Sequence, residues 1–147
     1  MAAKDIRFPP KSAPGKGVQD ALAAGLYRAT SDTFGIGDTL PALLFNVPSG
    51  TLIYDLILSV TTAITDASNS GTLIAGIDAD SDMFFSDTTQ CGAGTYSMHG
   101  AGALNSGVYI ATGDVVVECS WATTNSAGGG VAYLIYADMD DPNYVNL

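Results

Sequence analysis

The chain of 147 residues has no lysine or arginine after Arg28. All five cations, Lys4, Arg7, Lys11, Lys16 and Arg28, stand in the first 28 positions, where only Asp5 and Asp20 oppose them, for a net of +3. The rest of the chain carries the other 13 acids and no compensating base, so a small basic segment precedes an acidic body. A nucleic-acid-binding role does not fit this split. Most of the surface would repel phosphate, and an excess of three charges releases few counterions. Histidine is as scarce: His99 is the only one, which excludes a two-histidine metal site. Cys91 and Cys119 are too few for a disulfide framework, and neither sits in a CxxC or Cys/His ligand spacing. Two free, buried thiols are expected, with a single bridge as the alternative. No run approaches the roughly 18 apolar residues of a membrane span, and the N-terminus lacks the apolar stretch of an export signal, so neither spanning nor secretion is expected.

Charge of either sign is sparse, at 14% of residues against a usual value of about 25%. The surface must then be built largely from Ser, Thr, Gly, Asn and Asp. That suits a protein partly covered by neighbours, and equally a plain Ser/Thr-rich sandwich. The length fits one domain that buries about 70% of its unfolded surface without metals or disulfides.

What the chain does have is strand periodicity. Thr51 to Thr65 alternates over its whole length, with Leu52, Tyr54, Leu56, Leu58, Val60 and Ile64 on one side and Asp55, Ser59 and Thr61 on the other. At about 45 Å it exceeds a usual strand, which predicts a bend or break near Thr61-Thr62. Apolar strands are also predicted around residues 38–47, entered past Pro41 at an edge or bulge, and over 72–77, 108–111, 114–122 and from 131 onward. The pieces 108–111 and 114–122 read as a hairpin or bent pair, with Val115, Val117, Cys119 and Trp121 on one face. The last strand is apolar on both sides. Asp80 or Ser81 can cap a short helical turn carrying Met83, Phe84 and Phe85 onto the core, and residues 18–29 read as a short helix or turn leading into a strand. The Gly-rich tract from Cys91 to Gly107 shows no period and reads as a surface excursion. About seven to eight strands with turns every 8 to 12 residues indicate an all-β chain, an antiparallel β-sandwich or jelly roll. Residues 1–28 read as a Pro/Gly-rich basic arm and lead-in, and residues 29–147 as the body. In the arm, Phe8 beside Pro9-Pro10 is a stiff aromatic peg with cations at its rim, although a plain disordered tail has the same composition.

Motifs for chemistry are few. No GxSxG, P-loop or dinucleotide fingerprint is present. Cys91 and His99 could pair for nucleophilic catalysis, but eight residues apart in a Gly-rich loop is not a specific spacing. Asp78, Asp80 and Asp82 begin like a calcium loop, which then fails at Met83, where glycine is needed, and at Thr89, where the bidentate Glu belongs. Trp121, Tyr133 and Tyr136 could line a sugar-binding face, or serve as core or interface packing. No catalytic residue, metal site or cofactor is expected.

The order of parts carries a resemblance. GDTLPALLFNVPSGTLIYDLILSVTTAI, then SGTLIAGIDADSDMFF, a Gly-rich loop with a Tyr, and GDVVVECSWATTNSAGGGVAYLIY together span about residues 26–137. This arrangement resembles small virion structural proteins of tailed bacteriophages, the kind found as capsid decoration (cement) proteins. The resemblance implies a jelly-roll or sandwich body, a homotrimer on the outside of the icosahedral shell, and the major capsid protein as partner. It also implies assembly in the host cytoplasm and no catalytic residues. The arm, through Lys4, Arg7, Phe8, Lys11 and Lys16, is the expected capsid-binding element. A head-fibre or tail module binding a host glycan through the Gly-rich loop, and a neck or tail-completion protein, are the other readings.

Overall fold

The computed structural model describes residues 3–6, 26–65, 73–87, 92–100, 107–122 and 126–139. Among the described residues there are eleven strands and no helix. Eight strands have four residues or more: β2 (Tyr27–Thr30), β4 (Ala42–Val47), β5 (Thr51–Thr65), β6 (Leu73–Ile77), β7 (Asp80–Asp87), β8 (Gly94–Ser97), β10 (Val115–Trp121) and β11 (Ala127–Asp138). Three are two-residue pieces: β1 (Lys4–Asp5), β3 (Phe34–Gly35) and β9 (Tyr109–Ile110). The long strands pass back and forth between two sheets, ordered β4-β10-β6-β7 in the first and β2-β11-β5-β8 in the second. The first and last long strands, β2 and β11, lie side by side, which is the two-sheet closure of a jelly roll. Pairing is antiparallel throughout except for β1, which adds to the edge of β4 in parallel.

The sheets face each other across a single apolar cluster. Inward residues of the first sheet include Phe45, Leu73, Phe85, Val117 and Cys119, and those of the second include Ile53, Leu56, Leu58, Leu134 and Tyr136. Three ring pairs tie the layers: Phe34 with Trp121, Phe84 with Tyr109, and Phe85 with Tyr96, at centroid separations of 5.7–5.9 Å. Such pairs add about 0.5–1.5 kcal/mol each beyond burial.

The long strand spans Thr51–Thr65 as read, but its phase changes within it. Ile53 pairs with Tyr136 while Asp55 pairs with Ile135, so Tyr54 is an extra residue and the inward set becomes Thr51 and Ile53, then Leu56, Leu58 and Val60. Leu52 and Tyr54 therefore do not belong to the core face expected of them, and Tyr54 is exposed. A second shift falls at Thr61, where Val60 pairs with Gly130 and Thr62 with Gly129, so the strand runs on unbroken, with a bulge at the place where a bend or break was predicted.

Two other expectations are corrected. Residues 80–87 form strand β7 rather than a capped helical turn. Its register to β6 jumps between Ala75↔Phe85 and Ile77↔Asp80, and the extra residues of β7 cross over Gly76, where any Cβ would collide with the Asp80 carbonyl oxygen. This bulge lets adjacent Phe84 and Phe85 both be buried, which a regular strand does not allow. Tyr109–Ile110 pairs with β5 while β10 pairs with β4 and β6, so the supposed hairpin is a crossover between sheets. Within the Gly-rich tract, Gly94–Ser97 is strand β8 on β5, and Met98 is buried beyond it. The short helix or turn expected within residues 18–29 lies mostly outside the described residues, and a strand follows it as expected, β2, beginning at Tyr27.

Candidate functional site

Of the five arm residues, Lys4 is described, and it is exposed on β1. Arg7, Phe8, Lys11 and Lys16 lie outside the described residues. β1 pairs Lys4 with Phe45 and Asp5 with Asn46, and the Ile6 N–H donates to the Asn46 carbonyl at 3.2 Å. Asn46 Nδ2 donates to Asp5 Oδ1 at 2.7 Å, and Ile6 turns its side chain into the core. The alternation exposed–exposed–buried over residues 4–6 thus fastens the chain to the sheet edge immediately before the basic stretch. Beside this edge opens a cleft of about 390 Å³ between residues 5–6, 46–48 and 114–116. Its lining includes the apolar Ile6, Val47 and Val115 and the carboxylates Asp5 and Asp114. Asp114 Oδ1 accepts the Ser49 N–H at 3.1 Å, so one acid of the cleft already organises the turn into β5.

The residues considered for chemistry do not converge. His99 is exposed, with Nε2 2.6 Å from the Tyr54 carbonyl oxygen and its ring tilted against that of Tyr54. Cys91 lies outside the described residues. Cys119 is a free, fully buried thiol, and burial pushes its pKa well up, with the charges of Asp38 and Glu118 adding to the effect. Such a thiol is inert at neutral pH. Asp78 Oδ1 accepts the Val116 N–H at 3.0 Å, and the Asp78 N–H donates to the Val116 carbonyl at the same distance, so Asp78 clips the β6–β7 turn to β10. No group of three metal-ligating side chains occurs among the described residues. Trp121 and Tyr136 are core residues, whereas Tyr133 faces outward, so the three do not share an exposed sugar-stacking face.

Two features escaped sequence reading. Glu118 faces outward from the first sheet, opposite Leu43 and Gly76, yet is only 6% exposed. Burial raises its carboxyl pKa, and nearby Asp78 raises it further. The second is the outer surface of the other sheet. Arg28 pairs with Ile135, and Ile135 with Asp55, so a cation, an apolar side chain and an anion stand in one row across β2, β11 and β5. Arg28 rests over the Tyr133 ring, 5.7 Å from its centroid. The alternation Val131, Tyr133, Ile135 against Ala132, Leu134, Tyr136 was the available signal.

The chain shares its fold with chains from three bacteriophage capsids. One belongs to the capsid asymmetric unit of cyanophage Pam1, with TM-score 0.57 and 19% identity over 89% of this chain and 92% of that one. Another comes from the capsid of Ralstonia phage GP4, with TM-score 0.55 and 15% identity over 93% and 98% of the two chains. The third is from the acid-stable capsid of Helicobacter pylori bacteriophage KHP30, with TM-score 0.55 and 17% identity over 76% and 86%. No protein-family model matches the chain, and no curated protein sequence does.

Proposed function

We propose that this protein is a non-enzymatic virion component that binds the outside of a phage capsid and stabilises it by bridging major capsid protein subunits. The observation that carries the reading is the fold likeness to phage capsid chains, which runs nearly end to end in both partners for Pam1 and GP4. The chain is therefore similar to a whole small capsid chain rather than to a fragment of a larger one. The basic arm, with Lys4, Arg7, Phe8, Lys11 and Lys16, is the capsid-reaching element, and the homotrimer implied by the family resemblance presents three such arms. Two features support it: Lys4 is exposed at a sheet edge, and β1 anchors the start of the arm to that edge ahead of Arg7, Lys11 and Lys16. A capsid surface with complementary acids would meet cations that the protein carries nowhere else beyond Arg28.

The test uses capsid shells that lack the protein. Full-length protein should co-sediment with them and raise their melting temperature. Exposed ion pairs contribute about 0.2–1 kcal/mol each. Reversing four cations, as Lys4→Glu, Arg7→Glu, Lys11→Glu and Lys16→Glu together, should then weaken binding by about tenfold or more. Undiminished binding removes the arm from the mechanism, and no binding by the unaltered protein removes the capsid reading itself.

A further inference from the structure

We infer that the outward face of β2, β11 and β5 is a self-association surface whose occupant is a second copy of this chain, meeting it across a two-fold axis. The inference goes beyond the function proposed above: it adds a two-fold contact that is separate from the three-fold association of the homotrimer.

An antiparallel strand with one wet face alternates apolar and polar residues. β11 does not: its inward Ala132, Leu134 and Tyr136 fill the core, and its outward Val131, Tyr133 and Ile135 are apolar and half-buried. Directly paired residues share a face. By that rule Ile57, opposite Tyr133, extends the apolar strip onto β5, and the row Arg28–Ile135–Asp55 crosses it.

The charges in that row identify the occupant. Arg28 is the last cation of a chain of net charge −10. Among the described residues it has no carboxylate at ion-pair distance, and it rests on the Tyr133 ring. Asp55 receives one hydrogen bond, from the Ser97 hydroxyl at 2.8 Å, which fixes its carboxylate in place. The row reads positive, apolar, negative, so it complements itself. A two-fold axis along β11 sets Ile135 against its own copy and places each Arg28 over the partner's Asp55. Two acidic bodies otherwise repel, and this face is where a cation offsets the repulsion. Isologous contacts of this kind require self-complementarity, which a surface evolved for an unrelated partner does not.

The experiment is light scattering coupled to gel filtration on full-length protein without capsids. The mass of the unaltered protein is expected to be an even multiple of 15.0 kDa, a dimer, or a hexamer if a separate three-fold contact also forms. Ile135→Asp should halve that mass, while Ile135→Val keeps it. Arg28→Glu and Asp55→Arg should each raise the dissociation constant about tenfold or more, and the double variant Arg28→Glu/Asp55→Arg should restore it to within about threefold of the original. Thermal melts matching the unaltered protein show that each variant is folded. A monomer or an isolated trimer for the unaltered protein overturns the inference, as does a mass unmoved by Ile135→Asp. A face that instead serves the shell leaves the mass unchanged and loses shell binding, which also overturns it. Because the masses are read without shells, failure here is separable from failure of capsid binding.

Discussion

Ser31→Ala offers the most direct test of how the second sheet is closed. β2 ends at Thr30, yet β11 continues past it, so the Ala132 N–H and C=O need partners the strand no longer supplies. Ser31 provides both: its Oγ accepts the Ala132 N–H at 2.9 Å and its own N–H donates to the Ala132 carbonyl at 2.8 Å. The hydroxyl proton then goes to the Asp32 carbonyl at 2.6 Å. Ser31 is 5% exposed and Ala132 fully buried, so no water replaces the lost oxygen. Leaving a buried donor unsatisfied costs about 1–3 kcal/mol. For a domain of this size, about 2 kcal/mol corresponds to a melting temperature lower by about 4–8 °C. Trp121, the only tryptophan, is stacked on Phe34 three residues beyond Ser31 and reports unfolding in urea. Thr33→Ala, at an exposed neighbour, is the control and should stay within about 0.5 kcal/mol. Amide exchange at Ala132 should accelerate selectively in Ser31→Ala. A variant as stable as the control, with Ala132 still protected, refutes this account of the strand end.

Gly130→Ala should cost at least about 2 kcal/mol, because a Cβ there would strike the Ser59 carbonyl oxygen and lie 2.9 Å from the Val60 Cα; Gly113→Ala, with open space around it, should be neutral in the same urea melt. Glu118→Gln should stabilise the protein at neutral pH. The fold raises the Glu118 pKa, so the folded state holds this proton more tightly than the unfolded chain. Its stabilising contribution is full below the unfolded value and is lost as pH rises through the folded one. Urea melts at a series of pH values should show the advantage of Gln shrinking on acidification, and a pH-independent difference contradicts the assignment. In a Cys91→Ser background, Cys119 should stay silent to a thiol reagent until the protein unfolds, since it is fully buried with a raised pKa. Rapid native-state labelling would show that the core around it opens.

The all-β class, the two-sheet body and the extent of β5 were legible because they follow from local alternation and turn residues. What local pattern could not carry was anything decided by a partner strand. The phase of β5 reverses at Tyr54 because β11 sets the register there, and nothing within Thr51–Thr65 marks the bulge. In β7 the adjacent Phe84 and Phe85 broke the period of two and suggested a helical turn; the cause is Gly76 on the neighbouring strand, which lets the β7 backbone cross it. The closing strand was expected from residue 131 onward, which left residues 127–130 outside it. They are strand because Gly129 passes 2.8 Å from the Phe34 carbonyl, measured to where a Cβ would stand, and Gly128, at φ +136°, passes as close to Ile64. Turn signals around Gly113 located a reversal without saying that the chain changes sheets. Lys4 was named from its charge, but its place in β1 depends on Ile6 finding the core, which one apolar residue in a basic segment does not announce.

The pairing of β5 with β11 has a consequence for synthesis. The strand that completes the second sheet on one side of β5 begins at Ala127, about 60 residues after β5 ends. At 5–20 residues per second, β5 waits about 3–12 s on the ribosome for it. During that interval the longest apolar strand of the chain has a bare edge, and the edge of a waiting strand can pair with any other chain that offers one. Ribosome-bound chains stalled at residue 126 should therefore be cut within β5 by protease, and chains released with β11 complete should not. Crowded polysomes would be the setting in which a slow C-terminal strand decides between folded protein and aggregate.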